Sequence, residues 1–256
     1  MKVEMLISSC KLNKIKELSL EKKNITNAII VNQFMPKESV QKEKNYIMYS
    51  YNEKGIAKSR NRLLEHMTGD IEIITDDDIS FNKNSVEIIE KAYKENDADI
   101  IIFNLKKGNE IIGKNKKMIY NSLSIMSICS CQITFRSESI RKNNIKFDEK
   151  FGIGSTFISG EENIFLDECL KHNLKIIHIP LVINNHPEEE TTGEIWNDKV
   201  IKSKGALMYR LHRKTYIIFL MYFAILKHKQ YKKNYSFFKF IKIFNKGKKE
   251  YKNLNK

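Results

Sequence analysis

Three successive carboxylates, Asp76-Asp77-Asp78, close an apolar run at 71–75. Adjacent negative charges repel, and a hard divalent cation on their oxygens relieves that repulsion; Mg2+ or Mn2+ held in this way serves a bound diphosphate. Side chains alternate along an extended chain, so Asp76 and Asp78 should point one way and Asp77 the other. The same residues also suit an acidic turn in which Asp78 or Ser80 caps the next helix. Arg60 is the second group. Around a helix at 55–67, with about 100° per residue, it falls inside the apolar stripe of Ile56, Leu63, Leu64 and Met67, whereas Lys58 and Arg62 fall outside it. A buried guanidinium needs an anion, either a strand-end aspartate or the pyrophosphate or uracil of a ligand. Third, Ser159-Gly160-Glu161-Glu162 opens a helix. Ser159 and Glu162 have capping-box spacing. A carboxylate at that end can equally act as a general base, kept ionised by the helix dipole. Gly152, Gly154 and Gly160 suit a wall that a ligand approaches closely. His186, in Asn184-Asn185-His186-Pro187, is either an ordinary loop residue or a third metal ligand.

These groups are far apart in sequence and need a frame that gathers them. Short apolar runs at 2–8, 27–32, 46–50, 71–75, 99–105, 129–135 and 174–179 predict strands, the last closed by Pro180. Segments 55–67, 84–95 and 161–172 predict helices. Such alternation implies an α/β class fold, with a mixed, mostly parallel sheet and helices on both faces. Ligands of such sheets bind off the carboxyl ends of the strands, where the three constellations fall.

The chain has 256 residues, enough to bury a sizeable core, and 41% hydrophobic against 30% charged residues excludes a disordered chain. Its net charge of +14 suggests a nucleic-acid binder, but the excess is local. Residues 199–256 hold seventeen Lys or Arg and one acid, net +16, while the first 198 hold 28 bases and 30 acids, net −2. The organisation is therefore a near-neutral domain, 1–198, and a basic, aromatic-rich helical tail, 199–256. Cys10, Cys129, Cys131 and Cys169 have neither CxxC nor zinc spacing. The residues after Met1 contain no signal-peptide apolar region, which points to the cytoplasm. The longest apolar run, Tyr216–Leu226, reaches about 16 Å as a helix against a hydrocarbon core of about 30 Å, so it is a buried or an interfacial helix.

Taken in order, Lys54-Gly55-Ile56-Ala57-Lys58-Ser59-Arg60-Asn61, then the stretch from Gly69 to Asp78, then Phe151-Gly152-Ile153-Gly154 through Ser159-Gly160-Glu161-Glu162-Asn163, resemble the family 2 glycosyltransferases with a GT-A fold. The likeness is nearest to those of bacterial capsule and surface-polysaccharide synthesis and covers roughly residues 1–190. It implies transfer of a sugar, usually from a UDP-sugar, with inversion at the anomeric carbon. It implies that Asp76 and Asp78 are the outer residues of the DxD motif, Asp76 towards the ribose and Asp78 on Mn2+ or Mg2+. It places Ser8 at the start of the nucleotide-binding loop, Arg60 in the "ARN"-like segment that contacts the nucleotide, and Glu162 at the catalytic aspartate of the "ED" motif. Asp77 belongs with Ser8, Asn32, Arg60 and Asp76 on the nucleotide-sugar side. Two departures stand out: the second strand ends in Asn32-Gln33 where the family has Asp, and the base position is Glu, which leaves Glu161 and Glu162 hard to separate except by motif position.

The reaction so implied is an in-line displacement by an acceptor hydroxyl on a saccharide or a lipid-linked acceptor. Within the tail, Phe237, Phe240, Ile241 and Phe244 line one helix face, with Lys232, Lys239, Lys242 and Lys246 mainly on another. That pattern suits an anionic membrane surface or packing of the Phe face on the domain; in the first case a chain cut near Gln230 should lose vesicle binding yet keep its fold. The rival readings are a non-catalytic nucleotide-sugar binding module and a basic nucleic-acid binder. The acidic cluster and the lack of any nucleic-acid motif oppose the latter.

Overall fold

The computed structural model describes residues 1–188 and 196–254. In chain order the elements are β1 (Val3–Cys10), β2 (Ala28–Gln33), β3 (Ser39–Glu43), β4 (Tyr46–Ser50), α1 (Ile56–His66), β5 (Ile71–Asp76), β6 (Ser80–Phe81), α2 (Ser85–Glu95), β7 (Ile100–Lys107), β8 (Glu110–Ile112), β9 (Met118–Ile119), β10 (Ile133–Arg136), α3 (Ser137–Lys142), α4 (Glu161–Lys171), β11 (Ile176–His186), α5 (Asp198–Leu211), α6 (Tyr216–Leu226), α7 (His228–Tyr231) and α8 (Phe237–Asn253). The strands form one sheet in the order β3-β4-β2-β1-β5-β10-β7-β11-β6, with β8 on β7 and β9 on β11. β4, β2, β1 and β5 run parallel, as do β7 and β11.

The parallel strands are continuous apolar runs because both faces are covered. On one face Met5, Ile73 and Ile101 pack with Ile89, Ala92 and Tyr93 of α2. On the other, Leu6, Ile74 and Ile102 pack with Ala57 and Leu63 of α1 and Phe165 and Leu166 of α4. The register sets Ser8 beside Asp76 and Ser9 beside Asn32, so β1, β2 and β5 finish at one rim.

Two strands depart from their sequence pattern. The strand predicted at 129–135 begins instead as a 3-10 turn at Ser130–Gln132, and its remainder, β10, inserts antiparallel between β5 and β7. The strand predicted to stop before Pro180 continues to His186, with a register shift between Ile179 and Val182. Proline has no N–H for a sheet ladder, and an irregular stretch is where a strand tolerates it.

The C-terminal helices build a third core. Phe240 and Phe244 of α8, Ile201, Ala206 and Leu207 of α5, and Tyr216 and Leu220 of α6 pack with Phe151, Phe157 and Ile164 of the preceding segment. The Phe face of the basic segment therefore packs on the domain. α5 and α8 cross at two facing glycines: a Cβ on Gly205 would fall 1.9 Å from the Phe244 carbonyl oxygen, and one on Gly247 1.9 Å from that of Lys202. Among the described residues no helix is long and apolar enough to cross a membrane.

Candidate active site

The rim where β1 and β5 end carries the first constellation. The chain leaves β5 at Asp76 and turns at Asp77-Asp78, with the Ile79 amide donating to the Asp76 carbonyl at 3.4 Å. Ser9 Oγ donates to the Asp77 carboxylate, which draws that side chain towards β1, and Lys23 Nζ donates to the Asp77 carbonyl. Asp78 stays in the field of Asp76. Burial and then the Asp76 carboxylate hold its carboxyl above the usual range, opposed by His186. Neither Asp78 nor Ser80 caps a helix: Asn84 is the N-cap of α2, and Ser80 lies in β6. Among the described residues no three His, Cys, Asp or Glu side chains are gathered closely enough to hold a metal ion. His186 therefore does not complete a preformed set with Asp76 and Asp78; its Nδ1 donates to the Pro187 carbonyl at 2.8 Å.

Arg60 is buried, as the apolar stripe of α1 predicts, but its main partner is one the sequence did not assign to it. Its Nη1 donates to Glu161 Oε1 at 2.7 Å, and its Nη2 reaches Asp76 Oδ1 at 3.4 Å. Burial disfavours the guanidinium charge, yet Asp76, Glu161 and Glu162 together outweigh it and hold Arg60 firmly protonated. Phe147 lies 5.8 Å from the guanidinium, ring centroid to carbon, and Nε is buried without a partner. The arginine is thus a bridge between the β5 rim and the start of α4. Cys131 completes the surroundings, its thiol donating to Asp76 Oδ2 at 3.7 Å.

The N-terminus of α4 supplies the glutamates. Its N-cap is Gly160 at φ +108°, where a Cβ would fall 2.8 Å from Leu207 of α5. The Ser159–Glu162 capping box does not form, because the turn is one residue late for it; Ser159 Oγ is buried and unpaired. Gly152, at φ +99°, leaves the space that Glu161 fills: a Cβ there would lie 3.0 Å from the Glu161 carboxyl carbon. The loop around Gly152 is fixed to α1 by the Ile56 amide, which donates to the Ile153 carbonyl at 2.9 Å. Glu161 is therefore committed to Arg60. Glu162 is half-buried with no such partner, and burial followed by the Glu161 charge raises its carboxyl to about 8, Lys204 and Arg60 opposing, so the helix dipole does not keep it ionised as the sequence suggested.

Two other sequence candidates serve the frame. Ser8 is buried and accepts from Ser59 Oγ of α1 at 3.0 Å. Asn32 turns inward: its Oδ1 accepts from the Leu12 amide at 3.0 Å, and its Nδ2 donates to the Leu12 carbonyl at 2.8 Å and to Ser50 Oγ at 3.3 Å. With both ends of its amide bonded, Asn32 shapes the loop after β1.

An acidic rim, a buried cation and a glycine-lined wall lie together at the carboxyl ends of a mostly parallel sheet, the place where α/β domains of this kind bind their ligands. The chain belongs to glycosyl transferase family 2, whose profile matches residues 14–162. Its fold is that of S. aureus TarS: the structure of TarS 1–349 in complex with UDP-GlcNAc superposes with a TM-score of 0.61 at 15% identity, covering 82% of this chain and 66% of that one. TarS 1–349 in complex with UDP gives 0.62 at 14% identity, covering 92% and 76%. The chain thus spans just under two thirds of the first of these. No curated protein matches the sequence.

Proposed function

We propose that the protein is an inverting glycosyltransferase that moves a sugar from a UDP-sugar to a saccharide or lipid-linked acceptor in surface-polysaccharide synthesis, working peripherally at an anionic membrane surface. One observation carries the chemical part: two adjacent glutamates are given different states, Glu161 paired to Arg60 and Glu162 left with a raised affinity for a proton. Divergent states of neighbouring acids are the mark of acid–base chemistry. The TarS structures with UDP-GlcNAc and UDP support the donor class.

In this reading Glu162 accepts the proton of the acceptor hydroxyl as that oxygen attacks the sugar C1 and UDP departs from the opposite face. Arg60 keeps Glu161 and the Asp76 rim in place and lends its charge to the side where the diphosphate leaves. The donor set suits a hard cation: burial and then the neighbouring Asp76 charge disfavour the ionised Asp78, a repulsion that a cation would relieve, and Asp76 and Asp78 offer oxygens of the kind Mg2+ or Mn2+ prefer. Once bound there, such an ion would offset the charge of the leaving diphosphate.

The test is a thermal-shift panel of nucleotide-sugars with Mn2+ present, followed by transfer assays with those that bind. Binding to the folded state raises the melting temperature by mass action. Stabilisation by UDP-sugars, and no transfer by Glu162→Gln, is the expected result. No response to any nucleotide-sugar would end the proposal.

A further inference from the structure

Of the third core's helices, α6 alone leaves a broad apolar surface in the open. Tyr216, Leu220 and Ala224 face the core, while Ile217, Ile218, Met221, Tyr222, Ile225 and Leu226 are exposed, with Ile217 at 69%, Ile218 at 68% and Ile225 at 65%. At about 100° per residue these six cover half the helix circumference without a polar residue among them. Scattered exposed apolar residues need no explanation, but a contiguous patch marks an interaction surface.

Charge identifies the partner. Arg213 and Lys214 precede α6, Lys229, Lys232 and Lys233 follow it, and all five are exposed. The segment's one acid, Glu250, is tied to Lys202 at 3.1 Å. An apolar face with a cationic margin fits the interfacial zone of an anionic bilayer, where the side chains enter the acyl boundary and the cations meet the headgroups. Two copies facing each other across this surface would bring like charges together. We infer that the exposed face of α6 is the surface by which the protein lies on an anionic membrane. The inference deepens the peripheral-membrane part of the proposed function and assigns it to α6; the Phe face of α8 is spent on the core.

Position relates this face to the chemistry. α6 packs on α5, and α5 carries Leu207 against Gly160 and Ser203 beneath the approach to α4, its Oγ accepting from the Ile158 amide at 2.9 Å. α5 is therefore the layer between α6 and the turn that holds Glu162. A lipid-linked acceptor would be met near the surface that carries it.

The experiment is co-sedimentation of the full chain with vesicles rich in phosphatidylglycerol and with pure phosphatidylcholine vesicles. It compares wild type with Ile218→Gln/Ile225→Gln and with Arg213→Gln/Lys214→Gln/Lys229→Gln. All these positions are exposed, so the variants should keep the wild-type melting temperature. Wild type should bind the anionic vesicles. The apolar variant should lose about tenfold in partitioning, and the charge variant should lose the preference for anionic lipid. If wild type binds neither vesicle, the peripheral-membrane reading itself fails. If wild type binds and the apolar variant binds equally, that reading stands and the assignment to α6 is overturned. Self-association of wild type in lipid-free buffer that the apolar variant abolishes would also overturn it, by making the face a contact between copies.

Discussion

Replacing Arg60 by Met distinguishes a buried bridge from a nucleotide contact. The Arg60 side chain is 4% exposed and that of Glu161 9%, so removing the cation strands a carboxylate in a nearly dry site. Breaking a buried pair from one side costs about 3–5 kcal/mol. In a chain of this size a kilocalorie moves the midpoint by about 2–4 °C, so Arg60→Met should melt roughly 10 °C below wild type. Asp76, 3.4 Å from Arg60 with its side chain 34% exposed at the rim, would lose the same cation. The double variant Arg60→Met/Glu161→Leu should recover most of the stability, because removing both charges leaves no orphan. Calorimetry of the wild type, the two single variants and the double variant gives the coupling directly. A single variant that melts within about 2 °C of wild type while losing UDP affinity would refute the bridge and return Arg60 to the nucleotide.

Glu162→Gln should lower turnover by about two to four orders of magnitude with UDP-sugar binding retained, whereas Glu161→Gln should lower the melting temperature as well; steady-state kinetics beside calorimetry separates them, and wild-type turnover in Glu162→Gln would exclude it as the base. Because burial and Glu161 hold Glu162 near 8, kcat/KM should climb with pH and level off above about 8, and a flat wild-type profile would contradict the raised value. Asp78→Asn should weaken Mn2+-dependent UDP binding at least about tenfold by calorimetry; unchanged affinity would remove its metal role. Burial, and then Glu4, raises Glu72 from 4.5 to about 8. Folding therefore favours its protonated form: that stability is complete below about 4.5 and is lost as pH rises through about 8. Glu72→Gln should flatten the fall in melting temperature across that window, and a fall unchanged from wild type would argue against it.

What the sequence made legible was whatever local pattern controls. Continuous Ile runs mark the central strands, and the angular position of Arg60 in α1 marks its burial. Partners set by long-range closure were not legible. Glu161 lies 101 residues from Arg60, and nothing in the capping-box spacing at 159–162 indicates that Gly160 would take the N-cap and turn Glu161 inward. Asn32 ends the second strand, and only the path of the loop at Leu12 shows that its amide bonds back to that loop. β3, a polar edge strand with little burial, has no apolar alternation to reveal it. The Phe pattern of α8 was read correctly as a face but left open as to its partner, because periodicity reports that a face is apolar and not what covers it.

The facing glycines of α5 and α8 have a consequence for the order of events during synthesis. α5 holds Leu207 against the turn that presents Glu162, and α8 is what presses on α5 from the other side. The rim at Asp76 can form when β5 joins β1, but the glutamate wall cannot settle until residue 251 has cleared the ribosome, since Phe240, Phe244 and Tyr251 close the core beneath it. A nascent chain would thus acquire its aspartate rim first and the Glu161–Glu162 turn last, and a chain cut at Gln230 would keep the sheet but lose the packing that sets that turn.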